Sequence, residues 1–194
     1  MSTISPFNGN YSYDFYLRTA YSKNRYARKS EYRSSMTSES LVTADADAMK
    51  KLTKKLRSLD YDADHATEIF QNTKAFIDTY NNLLGSSETA GSSSIQSLKK
   101  QLAKMTKNEK EDLSSIGIEL KSNGELKIDA DKFLECKPSK IATVLSSDSS
   151  FTKSIQTYAS RIYRLATKLP VTSYTGSGKS TSSDTATNSI DLKL

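Results

Sequence analysis

Residues 116–131 read IGIELKSNGELKIDAD. Apolar and charged residues alternate on both sides of a Ser-Asn-Gly centre, the pattern of a β-hairpin with one buried face. The register follows from the side chains. A two-residue Asn-Gly loop would set Leu120 against Lys127 and Ile118 against Asp129, mixing the faces. A three-residue Ser122-Asn123-Gly124 loop pairs Lys121 with Glu125, Leu120 with Leu126, Glu119 with Lys127 and Ile118 with Ile128. One face is then apolar and the other carries opposite charges. The loop needs a left-handed residue at its third position, and Gly124 supplies it. A lone two-stranded ribbon is marginal in water, so the apolar face must pack on something else.

Helices supply that partner. Val42, Ala46, Met49, Leu52, Leu56 and Leu59 recur at spacings of 4, 3, 3, 4 and 3, one face of a helix from Ser40 to about Asp60. Ser40 or Thr43 is its expected cap, with Asp45 and Asp47 in the first turn. Its opposite face carries Lys50, Lys51, Lys54 and Lys55. A second helix, 64–84, has a heptad-like seam at Ile69, Thr73, Phe76, Tyr80 and Leu83. Gly85 stands where a C-cap glycine belongs, before a GSSETAGSSS loop. A third helix spans about 94–107 with Ile95, Leu98, Leu102 and Met105, and a short NEKEDLSS turn joins it to the hairpin. Asp129 caps a short helix, Pro138 breaks it from another, and a last long helix near 149–168 carries Phe151, Ile155, Tyr158, Ile162, Leu165 and Leu169.

The expected fold is mainly α, or α+β by strict naming: a helical bundle with one small antiparallel hairpin at 116–129. Phe76, Tyr80, Ile118, Leu126, Phe133, Ile155 and Ile162 are its expected core. The heptad-like seams read as core within one chain before an oligomer zipper, although a homo-oligomer stays open. Three segments follow: 1–40, a basic tyrosine-rich tail with transient helix near 13–32; 41–170, the helical domain; and 171–194, a Ser/Thr-rich stretch expected to be unfolded.

The chain has 194 residues, enough for one domain, but only 36% are hydrophobic, below the usual share. Mean hydropathy is −0.60. Lys and Arg total 28 against 22 acids, a net charge of +6, which permits an anionic partner without requiring one. No apolar run approaches the ~18 residues of a membrane span. The N-terminus, MSTISPFNGNYSYDF, lacks the basic-then-apolar pattern of a signal peptide, so any export would leave it uncleaved.

Few residues suggest chemistry. The single cysteine, Cys136, cannot form an internal disulfide, and with the single histidine, His65, it cannot build a usual zinc site. TGSGKST at 175–181 lacks the glycine a phosphate loop needs at 173 and follows no apolar strand. His65 beside Asp62, Asp64 and Glu68 is expected as a helix-start residue, and Cys136 as an inert thiol. No catalytic, cofactor or metal site is expected, and the chain is not read as an enzyme.

Residues 1–40 hold six of the eleven tyrosines, interleaved with six basic residues against three acids. Tyr16, Arg18, Tyr21, Arg25 and Tyr26 are the expected partner-binding residues. Docking on a protein is the favoured use, with aromatic anchors carrying the energy. Nucleic acid binding through residues 11–33, rings on bases and cations on phosphates, is the alternative.

The order of motifs carries a family resemblance. A helix with Phe76, Ile77, Tyr80 and Asn81 is followed by a helix, then by LSSIGIELKSNGELKIDADKF with Leu113, Ile116, Gly117, Ile118, Gly124, Leu126, Asp129 and Phe133. The Pro-broken pair CKPSKIATVLSS and a heptad helix come next. Over about residues 66–168 this resembles the C-terminal region of bacterial flagellar filament-capping proteins, the hook-associated protein 2 type. The resemblance implies a structural or assembly role at the flagellum as a reduced relative, with a flagellin-like or other axial protein as partner. It implies a place outside the cell, the alternative being cytoplasmic. It also implies that the hairpin packs against the long helices. The inserted outer domains and long terminal helices of that family have no counterpart here.

Overall fold

The computed structural model describes residues 12–170, together with the backbone of residues 173–174 and 180–181. Helix α1 (Tyr13–Ala20), a 3-10 turn (Arg25–Arg28) and α2 (Ser30–Arg33) precede the long α3 (Ser38–Arg57) and α4 (Ala66–Thr89). Then come α5 (Ser93–Asn108), α6 (Lys110–Ser115), strands β1 (Ile118–Leu120) and β2 (Leu126–Ile128), and helices α7 (Ala130–Glu135), α8 (Pro138–Leu145) and α9 (Ser150–Ala166). A second ribbon pairs β3 (Ser173–Tyr174) with β4 (Ser180–Thr181) through the backbone. The protein is mostly helical with a small antiparallel hairpin, as expected. Among the described residues no helix is long and apolar enough to cross a membrane.

Helix α3 packs on both α4 and α9, and α5 lies against α9 and α4. The predicted seams meet in the main core, where Phe76, Tyr80, Ile118, Leu126, Phe133, Ile155 and Ile162 are all buried. Phe76 and Phe151 meet edge to face at 6.1 Å between ring centres. The hairpin has the three-residue loop and the expected register, Ile118 with Ile128 and Leu120 with Leu126. Gly124 sits at φ +87°. Asp129 caps α7 through its side chain, and Pro138 opens α8 at a position where its missing N–H costs nothing.

Three expectations are corrected. First, residues 13–40 are not a tail. They fold into α1, the 3-10 turn, α2 and the start of α3, and they cover a second core of Tyr16, Leu17, Ala20, Tyr21, Ala27, Ala44, Ala48, Leu52 and Ala75. Small residues on α3 and α4 let α1 approach closely, and the aromatic rings fill the space that aliphatic residues would otherwise occupy. Second, α4 does not stop at Gly85. It runs one further turn to Thr89 and buries Ser86 and Ser87, because Gly85 sits in open space at ordinary helical φ and nothing there terminates the helix. Third, α3 starts at Ser38 with Thr37 as its cap, so Asp45 is an interior residue instead of a first-turn acid. The turn before the hairpin is itself helical, as α6. The expectations for residues 1–11, 171–172, 175–179 and 182–194, which take in most of the Gly-Lys stretch 175–181, lie outside the described residues, while 173–174 and 180–181 are paired where an unfolded stretch is expected.

Candidate protein-interaction surface

The N-terminal segment is held by tyrosine hydroxyls that donate to carboxylates on the long helices. Tyr13 bonds Asp78, Tyr16 reaches Glu68 at 3.1 Å, and Tyr21 reaches Asp45 at 2.8 Å. Asp45 has no exposed surface. The Arg33 guanidinium meets it with two prongs, 2.9 and 2.7 Å, and donates to the Ala27 carbonyl at 2.7 Å. A buried carboxylate would be costly alone; the fork of Arg33 and the Tyr21 hydroxyl satisfy it. Burial, followed by the Asp45 charge, drives the Tyr21 phenol well above its usual range. Burial alone would lower Arg33, but the bonds to Asp45 outweigh it and the guanidinium holds its proton more firmly than usual.

The five expected partner-binding residues are therefore divided. Tyr16 is 4% exposed and Tyr21 2%, so neither ring is available as an anchor. Their rings close the second core. Arg18, Arg25 and the buried Tyr21 come together with Ser22 and Arg28 around a cavity of about 370 Å³. Asp14 serves two of the three arginines there, pairing with Arg28 and, at 3.1 Å, with Arg18. One carboxylate against three guanidinium groups leaves the rim positive. Tyr26 stands apart, 67% exposed, with Tyr32 edge-on at 5.3 Å and 41% exposed. The Lys29 ammonium lies 5.6 Å from the Tyr32 ring centre. The exposed basic and aromatic residues of this region are thus Arg18, Lys23, Arg25, Tyr26, Lys29 and Tyr32.

His65 stands just before α4, partly exposed, with Nδ1 2.6 Å from Asp62. Cys136 is half-buried, its Sγ 3.6 Å from the Ser115 carbonyl. Among the described residues no three His, Cys, Asp or Glu side chains gather in a way that could hold a metal ion.

Sequence reasoning missed Asn81 and Gly117 as structural keys. Asn81 projects from α4 at the hairpin. Its amide donates to the Leu126 carbonyl and its side-chain oxygen accepts from the Leu126 N–H, each at 2.9 Å. Gly117 has φ +77°, and a Cβ there would lie 2.8 Å from the Phe133 backbone nitrogen. A Gly directly before an alternating strand was the available signal. Comparison of the chain with family models, curated proteins and solved structures finds no match.

Proposed function

We propose that this is a non-enzymatic structural or assembly protein akin to the flagellar filament cap, acting on a flagellin-like or other axial protein outside the cell. One observation carries the reading. The two segments behind the resemblance, the Phe-Ile-Asp-Thr-Tyr-Asn stretch of α4 and the Gly-turn hairpin, are in direct contact through Asn81 and Leu126. Tyr80 of the same stretch is buried beside them and donates to Thr106 of α5 at 3.0 Å. Residues 45 positions apart in the chain thus form one unit, which supports the reading.

The test is deletion of the gene in its bacterial host, with electron microscopy of filaments and co-sedimentation of the purified protein with them. Shortened or missing filaments, together with binding weakened by Tyr26→Ala, are expected. Normal filaments and a protein confined to the cytosol would overturn the reading.

The second reading, nucleic acid binding, draws on the exposed Arg18, Arg25, Lys29 and Tyr26. With Tyr16 and Tyr21 buried, few rings remain for stacking on bases, which ranks it below the first.

A further inference from the structure

Between α5 and the hairpin lies an open groove of about 560 Å³, lined by Ala103, Lys104, Lys107, Lys110, Leu120 and the loop 121–124. Four of its lining residues are lysines and none is acidic. Lys121 is paired with Glu125 at 3.0 Å. Among the described residues Lys104, Lys107 and Lys110 have no ion-pair partner, and all three are exposed. Ala103 and Leu120 give the groove an apolar floor.

The hairpin edge beside this groove is open. In an antiparallel pair, residues alternate between facing the partner strand with both backbone groups and turning them outward. The Lys121 N–H donates to the Glu125 carbonyl at 2.8 Å, and the Asp129 N–H to the Gly117 carbonyl at 2.8 Å. Leu120 and Leu126 therefore turn their backbone groups outward. On β2, Asn81 takes both groups of Leu126. On β1, the N–H and carbonyl of the half-buried Leu120 have no hydrogen-bond partner among the described residues. An unpaired strand edge is a template for an added strand.

We propose that this groove binds an extended acidic segment of a partner protein, which pairs with the Leu120 edge. Side chains of an extended chain alternate, so carboxylates meet Lys104, Lys107 and Lys110 while intervening aliphatic residues rest on Ala103 and Leu120. Backbone bonds at Leu120 set the direction, and the lysines select for negative charge. A nucleic acid fits less well, because no aromatic residue lines the groove to stack on bases. This inference stands apart from the axial-protein reading and does not depend on it.

The experiment uses the full chain and three fluorescent probes: an alternating Glu/Val hexapeptide, its Lys/Val counterpart and an oligothymidine. Anisotropy at low salt should give a Kd of roughly 10–100 μM for the Glu/Val peptide and no binding of the Lys/Val peptide. The double variant Lys104→Glu, Lys107→Glu, whose exposed positions leave the fold intact by circular dichroism, should bind at least about tenfold more weakly. Hydrogen exchange at the Leu120 amide should slow at least about tenfold when the Glu/Val peptide is bound. Failure of that peptide to bind, binding indifferent to the lysine reversal, or unchanged exchange at Leu120 would overturn the proposal. So would oligothymidine binding as tight and as sensitive to the same variant.

Discussion

The side chain of Asn81 acts as a stand-in strand for Leu126. Its amide meets both backbone groups of that residue at 2.9 Å, as a neighbouring β-strand would. Truncation in Asn81→Ala leaves a partly buried N–H and carbonyl unsatisfied, each worth about 1–3 kcal/mol, so roughly 2–6 kcal/mol should be lost in denaturant melts. Asn82→Ala is the control. Its amide reaches only the Tyr21 hydroxyl, at 3.4 Å, and the loss should stay under about 1 kcal/mol. Equal effects from the two variants would show that the hairpin is held by packing alone.

Alanine at two glycines should act in opposite directions. Gly117→Ala forces a left-handed Cβ to within 2.8 Å of the Phe133 backbone nitrogen. Conformational and steric costs together should remove about 2–5 kcal/mol. Gly85→Ala meets nothing within 4 Å inside α4 and should stabilise the protein by about 0.5–1 kcal/mol. Thermal melts of the two variants check both signs.

Phe76 is fully buried against Phe151 in the main core. Phe76→Ala should cost about 3–5 kcal/mol by urea unfolding. A loss under about 1 kcal/mol would place the core elsewhere.

Removal of the Asp45 carboxylate strands both Arg33 and the Tyr21 hydroxyl. Breaking a buried ion pair in this way costs about 3–5 kcal/mol, and the low end is expected because the Arg33 side chain keeps 18% of its exposure. Asp45→Asn should also loosen the N-terminal segment before the bundle. Trypsin should then cut near Arg18 and Arg25 faster than it cuts α4, as read by mass spectrometry.

Asp62 holds the proton on the partly exposed His65, first through their hydrogen bond and then through its charge, and raises the imidazole above its ordinary value of 6.5. A group raised in the folded state contributes stability that is fully present below 6.5 and is lost as pH rises through its folded value. An NMR titration of His65 should show the raised midpoint, and Asp62→Asn should bring it back toward the ordinary value.

The readable parts of this fold were those whose information is local. The seams of α4 and α9 follow helical spacing, and the hairpin register follows from which residues would otherwise clash in polarity. The docking of α1 was not readable. Its contacts pair Tyr13 with Asp78 and Tyr16 with Glu68, partners far apart in sequence and indistinguishable there from solvated polar residues. The only hint was a set of small residues, Ala44, Ala48 and Ala75, on faces away from the leucine seam. Gly85 misled because a glycine after the last apolar residue resembles a C-cap, whereas the buried hydroxyls of Ser86 and Ser87 mark a continued helix. Of the five expected binding residues, Arg18, Arg25 and Tyr26 stayed at the surface. Tyr16 and Tyr21 went inside because a phenol can fill a core and still reach a carboxylate.

The tyrosine–carboxylate bonds of α1 also set an order of events during synthesis. The α1 segment is made well before its partners on α4, since Tyr13 is separated from Asp78 by 65 residues. At ordinary elongation rates, that interval is roughly 3 to 13 s. During it Tyr13 and Tyr16 have no α4 carboxylate to dock on, although Asp45 of α3, the partner of Tyr21 and Arg33, is already made. Until α4 is made, α1 thus stays uncovered on the nascent chain, and the finished protein draws Tyr16 and Leu17 into the interior.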